Sequence, residues 1–195
     1  MTTTRNTVAP TAAAAAAVFT DETLGKAAEL AAKAYLPVWV GPSGEESSGE
    51  AVARHLDATI ALLDKDGWVR AYDYGKNWST TGADLADDDS MTVKAMLRAL
   101  LRFVRDDSDN DPCRTLATAL RHVGEDGGHG DTDTAYVAGC ALDLVVQAHT
   151  GSDSARATPW SERQHRTHAD ITALLTAGAR LARTHGPAGQ ESSAA

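Results

Sequence analysis

The chain has 195 residues, 43% of them hydrophobic and 23% charged, and carries a formal net charge of −9. This length and balance fit one folded domain with a real core and exclude a globally disordered chain. The negative charge opposes general attraction to nucleic acid or an anionic membrane. The two cysteines, Cys113 and Cys140, form no CxxC pair and suit a reducing cytoplasm better than a disulfide framework or a thiolate zinc site.

Aromatic residues are only 5% while alanine is abundant, so the core has to be built from Leu, Val and Ala, which favours close-packed helices over sheets. Arginines outnumber lysines, a bias that a GC-rich coding genome produces. The apolar run 12–19 is too short and too weakly flanked for a signal peptide, and nothing approaches the ~20 apolar residues of a membrane span.

Residues 1–19 begin as a Thr/Ala tract and 186–195 are Gly, Pro, Ser and Ala, so both ends read as tails around a single helical domain over 20–185. The first helix is expected over 21–35, capped by Thr20 or Asp21, with Leu24, Ala28, Ala31 and Tyr35 on one face and Pro37 beyond its end. Ser47 and Glu50 have capping-box spacing ahead of Val52, Leu56, Ile60 and Leu63, and Gly67 is the expected stop.

The segment 68–74 alternates Trp68, Arg70, Tyr72 and Tyr74 on one face if extended, with 78–81 or 38–40 as pairing partners for a short ribbon. An acidic loop over 84–89 leads to a helix over 90–105, with Val93, Leu97, Leu100 and Val104 facing inward. Asp111-Pro112 has the form of a helix start, with Leu116, Leu120 and Val123 as the apolar stripe that follows. After the glycine-rich loop 124–130, the segment 134–150 is apolar nearly all round and reads as the central buried helix. A last helix is expected over 161–185, with Ser161 and Gln164 as its capping pair.

The run Ala53-Arg54-His55-Leu56-Asp57-Ala58-Thr59-Ile60-Ala61-Leu62-Leu63-Asp64-Lys65-Asp66-Gly67-Trp68 resembles a helix–Gly-Trp signature of actinobacterial and actinophage proteins. Trp160, Arg166-Thr167 and the helix through 170–175 are similar to the Trp…Arg-Thr…helix ending of the same group, a family of unknown function. The resemblance covers about 52–183. It implies an actinobacterial or phage setting and no particular activity, and the acidic loop over 84–89 stands where the group places a Gly-Cys-Leu-like element.

Several groupings carry possible chemistry. Glu162, His165 and His168 fall at i, i+3 and i+6 if they share a helix, a spacing that brings three ligands toward one metal ion; a second Glu-x-x-His, which di-metal bundles need, is missing. The bland reading is a solvated first turn. Asp107 to Asp111 starts like a calcium loop, but Pro112 and Thr118 occupy the positions that require Gly and Glu. The loop 124–130 lacks the Gly-Lys-Ser/Thr ending of a phosphate cradle.

Lys94, Arg98, Arg102 and Arg105 form a basic stripe on one expected helix, with the aspartate-rich turn 106–111 beside it to repel phosphate. Cys113, in the first turn of an expected helix, is the better placed of the two thiols for catalysis, although no base is identified near it. Trp68, Arg70, Tyr72 and Tyr74, with Trp160 and Arg166, concentrate the aromatic and arginine side chains that interfaces favour, and core packing accounts for them equally well.

These observations lead to an expected mainly α fold, a compact bundle of about six helices with one short β-ribbon near 68–81. The expected role is a non-catalytic binding or regulatory accessory protein in the cytoplasm, with another protein as partner and no cofactor. The alternatives are a metal-dependent or thiol enzyme using Glu162, His165, His168 or Cys113, and a DNA-associated regulator using the stripe from Lys94 to Arg105.

Overall fold

The computed structural model describes residues 16–71, 92, 93, 97 and 113–189. Among them are six helices: α1 (Asp21–Lys33), α2 (Gly49–Asp66), α3 (Leu116–Asp126), α4 (Thr132–Thr150), α5 (Ala157–Ser161) and α6 (His168–His185). None of the helices among the described residues is long and apolar enough to cross a membrane. Tyr72, Tyr74, Trp78, the acidic loop 84–89, the basic positions Lys94, Arg98, Arg102 and Arg105, and the turn 106–112 lie outside the described residues.

Five of the six helices start behind a Ser, Thr or Asp cap whose side chain accepts an N–H of the first turn; α5, with Arg156 at its cap position, has no such side-chain cap. Thr20 caps α1, accepting from the Thr23 N–H, and acidic Asp21 and Glu22 complement the helix dipole. The helix ends at Lys33, two residues sooner than expected, because Pro37 restrains the chain before it. Tyr35 is therefore not a face residue of α1; it is 99% exposed. The cap of α2 is Ser48, not Ser47, and its hydroxyl accepts from Ala51, while Ser47 itself is buried. Gly67 ends α2 as expected, with φ of 88° and its N–H on the Leu63 carbonyl.

Two helix starts differ from the sequence reading. Helix α3 begins at Leu116, behind the reciprocal capping box of Thr115 and Thr118, whereas the expected start at Asp111-Pro112 lies outside the described residues. The expected helix over 161–185 is two helices. Trp160 is drawn into the core, the chain turns after Ser161, and α6 starts afresh behind the capping box of Thr167 and Asp170.

The expected ribbon near 68–81 is not present among the described residues. Trp68 instead makes a single parallel bridge to Arg114, with the Val69 N–H donating to the Arg114 carbonyl and the Arg114 N–H donating to the Gly67 carbonyl, each at 3.0 Å. The alternative strand over 38–40 folds back on itself, bridging Val40 to Glu46. Val93 and Leu97, expected to face inward, are 82% and 58% exposed. No described element covers them.

The packing centres on α4, which touches each of the other five helices. Val137, Ala138, Ala141, Leu142, Val145 and Val146 are fully buried, so the most apolar segment is the central helix, as its composition requires. The long contact of α2 with α6 closes the bundle. Its tightest point is Gly49 against Gly186. A Cβ on Gly49 would lie 2.2 Å from the Ala182 carbonyl oxygen, and the Gly49 N–H donates to the Pro187 carbonyl at 2.9 Å. Phe19 at the other end, 8% exposed, also belongs to the core. Residues 17–19 and 186–187, assigned to the tails by composition, are thus tied into the fold.

His55 is completely buried in α2. Burial holds its ring below the ordinary value of 6.5, against the pull of the His129 and Leu120 carbonyls. The unfolded chain therefore takes up a proton on this ring at a higher pH than the folded chain does. The resulting stability is complete above about pH 6.5 and is lost as the pH falls from there toward the folded value. His149, lowered by burial and by Arg166, acts in the same direction. Thermal scans are expected to show a melting midpoint that drops between pH 7.5 and 5.5; a flat midpoint across that range would contradict this.

Candidate functional site

Trp160 and Arg166, both named above among the candidate recognition residues, lie against each other beneath the surface. Trp160 is 1% exposed, and the Arg166 guanidinium carbon stands 3.7 Å from its ring centre. Arg166 also lies 4.0 Å from Asp170, whose carboxylate accepts the Thr167 N–H, the Thr167 hydroxyl and, at 2.6 Å, the Ala17 N–H. Burial opposes ionisation of Asp170; the Thr167 and Ala17 hydrogen bonds and Arg166 outweigh it and hold the carboxyl below its ordinary range. Phe19 leans on both His149 and Trp160, with ring centres 4.8 Å and 5.9 Å away. This cluster straps the segment ahead of α1 to the start of α6.

The possible metal ligands lose the helix that would have aligned them. Glu162 is the C-cap of α5, His165 lies in the turn, and His168 opens α6 with its Nε2 3.4 Å from Asp64. Among the described residues no group of three or more His, Cys, Asp and Glu converges on a common point. Cys113 precedes the first residue of α3 by three positions, so the helix-terminus argument for a lowered thiol pKa does not hold for it. Burial pushes the Cys140 thiol up, which its hydrogen bond with Tyr136 only partly offsets, so the reactive thiolate is disfavoured there.

A surface groove with a volume of about 400 Å³ runs along α4. Thr132, Ala135, Tyr136, Gly139, Cys140 and Asp143 form its floor, repeating at helical spacing. Leu116, Ala117, Leu120 and Arg121 of α3 make one wall, and Ala157 and Thr158 of α5 make the other. Asp143 fixes that second wall. Its carboxylate accepts the Ala157 N–H at 2.7 Å and pairs with Arg156 at 3.4 Å. Burial raises the Asp143 pKa, and the Ala157 hydrogen bond and Arg156 draw it back.

The groove combines an apolar lining with a few fixed polar groups, as binding sites do. Reading α4 as apolar on all sides hid it. The available signals were Thr132, Tyr136 and Asp143, polar residues on one face of an otherwise apolar helix, and a glycine at mid-helix. Trp68 is half-buried and Arg70 exposed, on the segment bridged to Arg114, two residues before Leu116 of the groove wall.

Among the described residues the architecture is that of a mainly helical domain with a groove on its central helix. The chain belongs to a family of unknown function, DUF6197, whose pattern matches residues 47–181. No curated protein and no solved structure matches it. The matched span runs from the cap of α2 into α6 and includes the groove, Trp160 and Arg166.

Proposed function

We propose that this domain is a non-catalytic binding protein, a cytoplasmic regulatory accessory of an actinobacterium or its phage, and that the groove on α4 receives a helix of a partner protein. Gly139 carries the reading. A glycine inside a helix costs about 0.5–1 kcal/mol relative to alanine. Among the described residues a Cβ at Gly139 would meet nothing within 4 Å, so their packing does not call for glycine there. Close approach of another backbone does.

The shape supports a helix as occupant. At 1.5 Å per residue the floor from Thr132 to Asp143 runs for about 16 Å, three helical turns. Ala117 and Ala157 keep the walls low, and half-exposed Tyr136 offers a hydroxyl beside the Cys140 thiol to fix register. Trp68 and Arg70 extend the proposed surface past the start of α3, with Tyr72 and Tyr74 following them in the chain. Trp160 and Arg166 serve it indirectly by seating α5. The net charge of −9 argues for protein over nucleic acid as the partner.

Gly139→Ala is expected to raise stability by about 0.5–1 kcal/mol in urea titrations, because the methyl group has open space and the helix gains propensity. A loss of stability would mean that the groove is closed in solution. The functional test places a photoreactive phenylalanine analogue at Tyr136 and, as a control, at fully exposed Tyr35, and irradiates the native host. One partner crosslinked at 136 and absent at 35 is expected; equal crosslinking at both positions, or none at 136, would contradict the proposal.

A further inference from the structure

His55 meets a backbone carbonyl at each of its ring nitrogens. Nδ1 lies 3.2 Å from the His129 oxygen in the glycine loop between α3 and α4, and Nε2 lies 3.1 Å from the Leu120 oxygen in α3. A neutral imidazole has one N–H to donate, so in either tautomer one bare nitrogen faces a carbonyl oxygen. Only the protonated ring donates to both. The two contacts are not equally movable. Leu120 sits inside a helix, whereas His129 sits between Gly128 and Gly130, and Gly130 has φ of 110°, in the glycine-favouring region.

We propose that His55 is a proton-operated clasp on the loop 127–130, closing it with a second hydrogen bond when the ring takes up one proton from solvent. In the neutral ring the N–H stays on Nε2, directed at the helical Leu120 carbonyl, and the His129 carbonyl is released. The surroundings of the ring fit this assignment. The ionisable groups acting on it are His129 in the loop, whose own charge opposes protonation, and Asp131 at the cap of α4, whose carboxylate favours it; α3 presents the Leu120 carbonyl. Below the ring, the Thr59 hydroxyl donates to the His55 backbone carbonyl at 2.8 Å within the α2 turn.

The loop leads straight into Asp131, the α4 cap, and Thr132, the first residue of the groove floor. Closing the clasp therefore fixes the entry to α4. This inference stands on the His55 geometry and does not depend on what the groove binds.

The test is a pH titration of the full-length ¹⁵N-labelled protein, following both imidazole nitrogens of His55 and the amides of Gly128 and Gly130. At neutral pH the expected state is one protonated nitrogen, Nε2, and one bare nitrogen, Nδ1. On acidification both should reach the protonated position in a one-proton step below pH 6.5 that the loop amides share, and His129→Gln should keep that step because it removes only a competing side chain. The step should be lost from the loop amides in His55→Asn. Loop amides that do not move with the His55 nitrogens in the unaltered protein would overturn the proposal, as would an Nδ1-protonated neutral ring or a loop step that survives in His55→Asn. The unaltered protein and His129→Gln decide the matter even where His55→Asn does not fold.

Discussion

Trp160→Ala is expected to cost about 3–5 kcal/mol of folding stability, the range for removing a buried large aromatic side chain. Trp160 is 1% exposed, supports the Arg166 guanidinium at 3.7 Å and packs against Phe19. Its loss leaves a cavity and also takes away the aromatic face over which a mostly buried cation is held. The strap ahead of α1 should loosen in the same variant, because Phe19 loses one of its two ring contacts. Urea denaturation measures the first effect, and proteolysis near residues 16–20 measures the second. A destabilisation below about 1 kcal/mol would show that Trp160 is not the keystone between α4, α5 and α6.

Gly49→Ala is the other large effect. Overpacking a close-packed site costs about 1–3 kcal/mol, and the cost rises when the obstacle is backbone. Here the added methyl group would meet the Ala182 carbonyl oxygen at 2.2 Å and the Gly186 Cα at 3.0 Å, and neither can rotate away. The helices α2 and α6 would have to separate at this end, losing the hydrogen bond from the Gly49 N–H to Pro187. A melting midpoint within a degree or two of the unaltered protein would contradict the close approach of these two helices. The contrast with Gly139→Ala is sharp. There the same substitution meets open space and should stabilise.

The helical framework was legible because its signals are local. Thr20 before an acidic turn, Gly67 after Lys65-Asp66 and the unbroken apolar segment of α4 each act through their own backbone or their own burial. The corrections arise where a competing signal or a tertiary contact prevailed. The Thr115–Thr118 box sets the start of α3, and insertion of Trp160 into the core split the last helix. That split dispersed Glu162, His165 and His168, whose common spacing presupposed one continuous helix. The ribbon expected near 68–81 is not shown among the described residues, where the bridge that Trp68 makes is to Arg114, far along the chain.

The candidate site was harder to read than the fold. Trp160 and Arg166 stood out separately as candidate binding residues, and their contact, like their role as strap anchors with Phe19 and Asp170, is connected by no short motif. The groove needed the relative placement of α3, α4 and α5, and Gly139 becomes informative only once the space above it is known to be open. His55 lay in plain view on the apolar face of α2, but its two carbonyl partners come from a helix and a loop more than sixty residues away.

The central claim is that the groove on α4 is a binding surface, and Gly139→Leu tests it most directly. A Cβ at this position meets no described atom within 4 Å and the groove lies over it, so the variant is expected to fold while its side chain fills the floor that a partner helix would contact. The measurement is the yield of the partner crosslinked at position 136 in the native host, compared between the Gly139→Leu background and the unaltered one. At least a tenfold loss of that partner, equivalent to about 1.4 kcal/mol of binding free energy, is the predicted result; full retention of the partner by a folded Gly139→Leu protein would contradict the account.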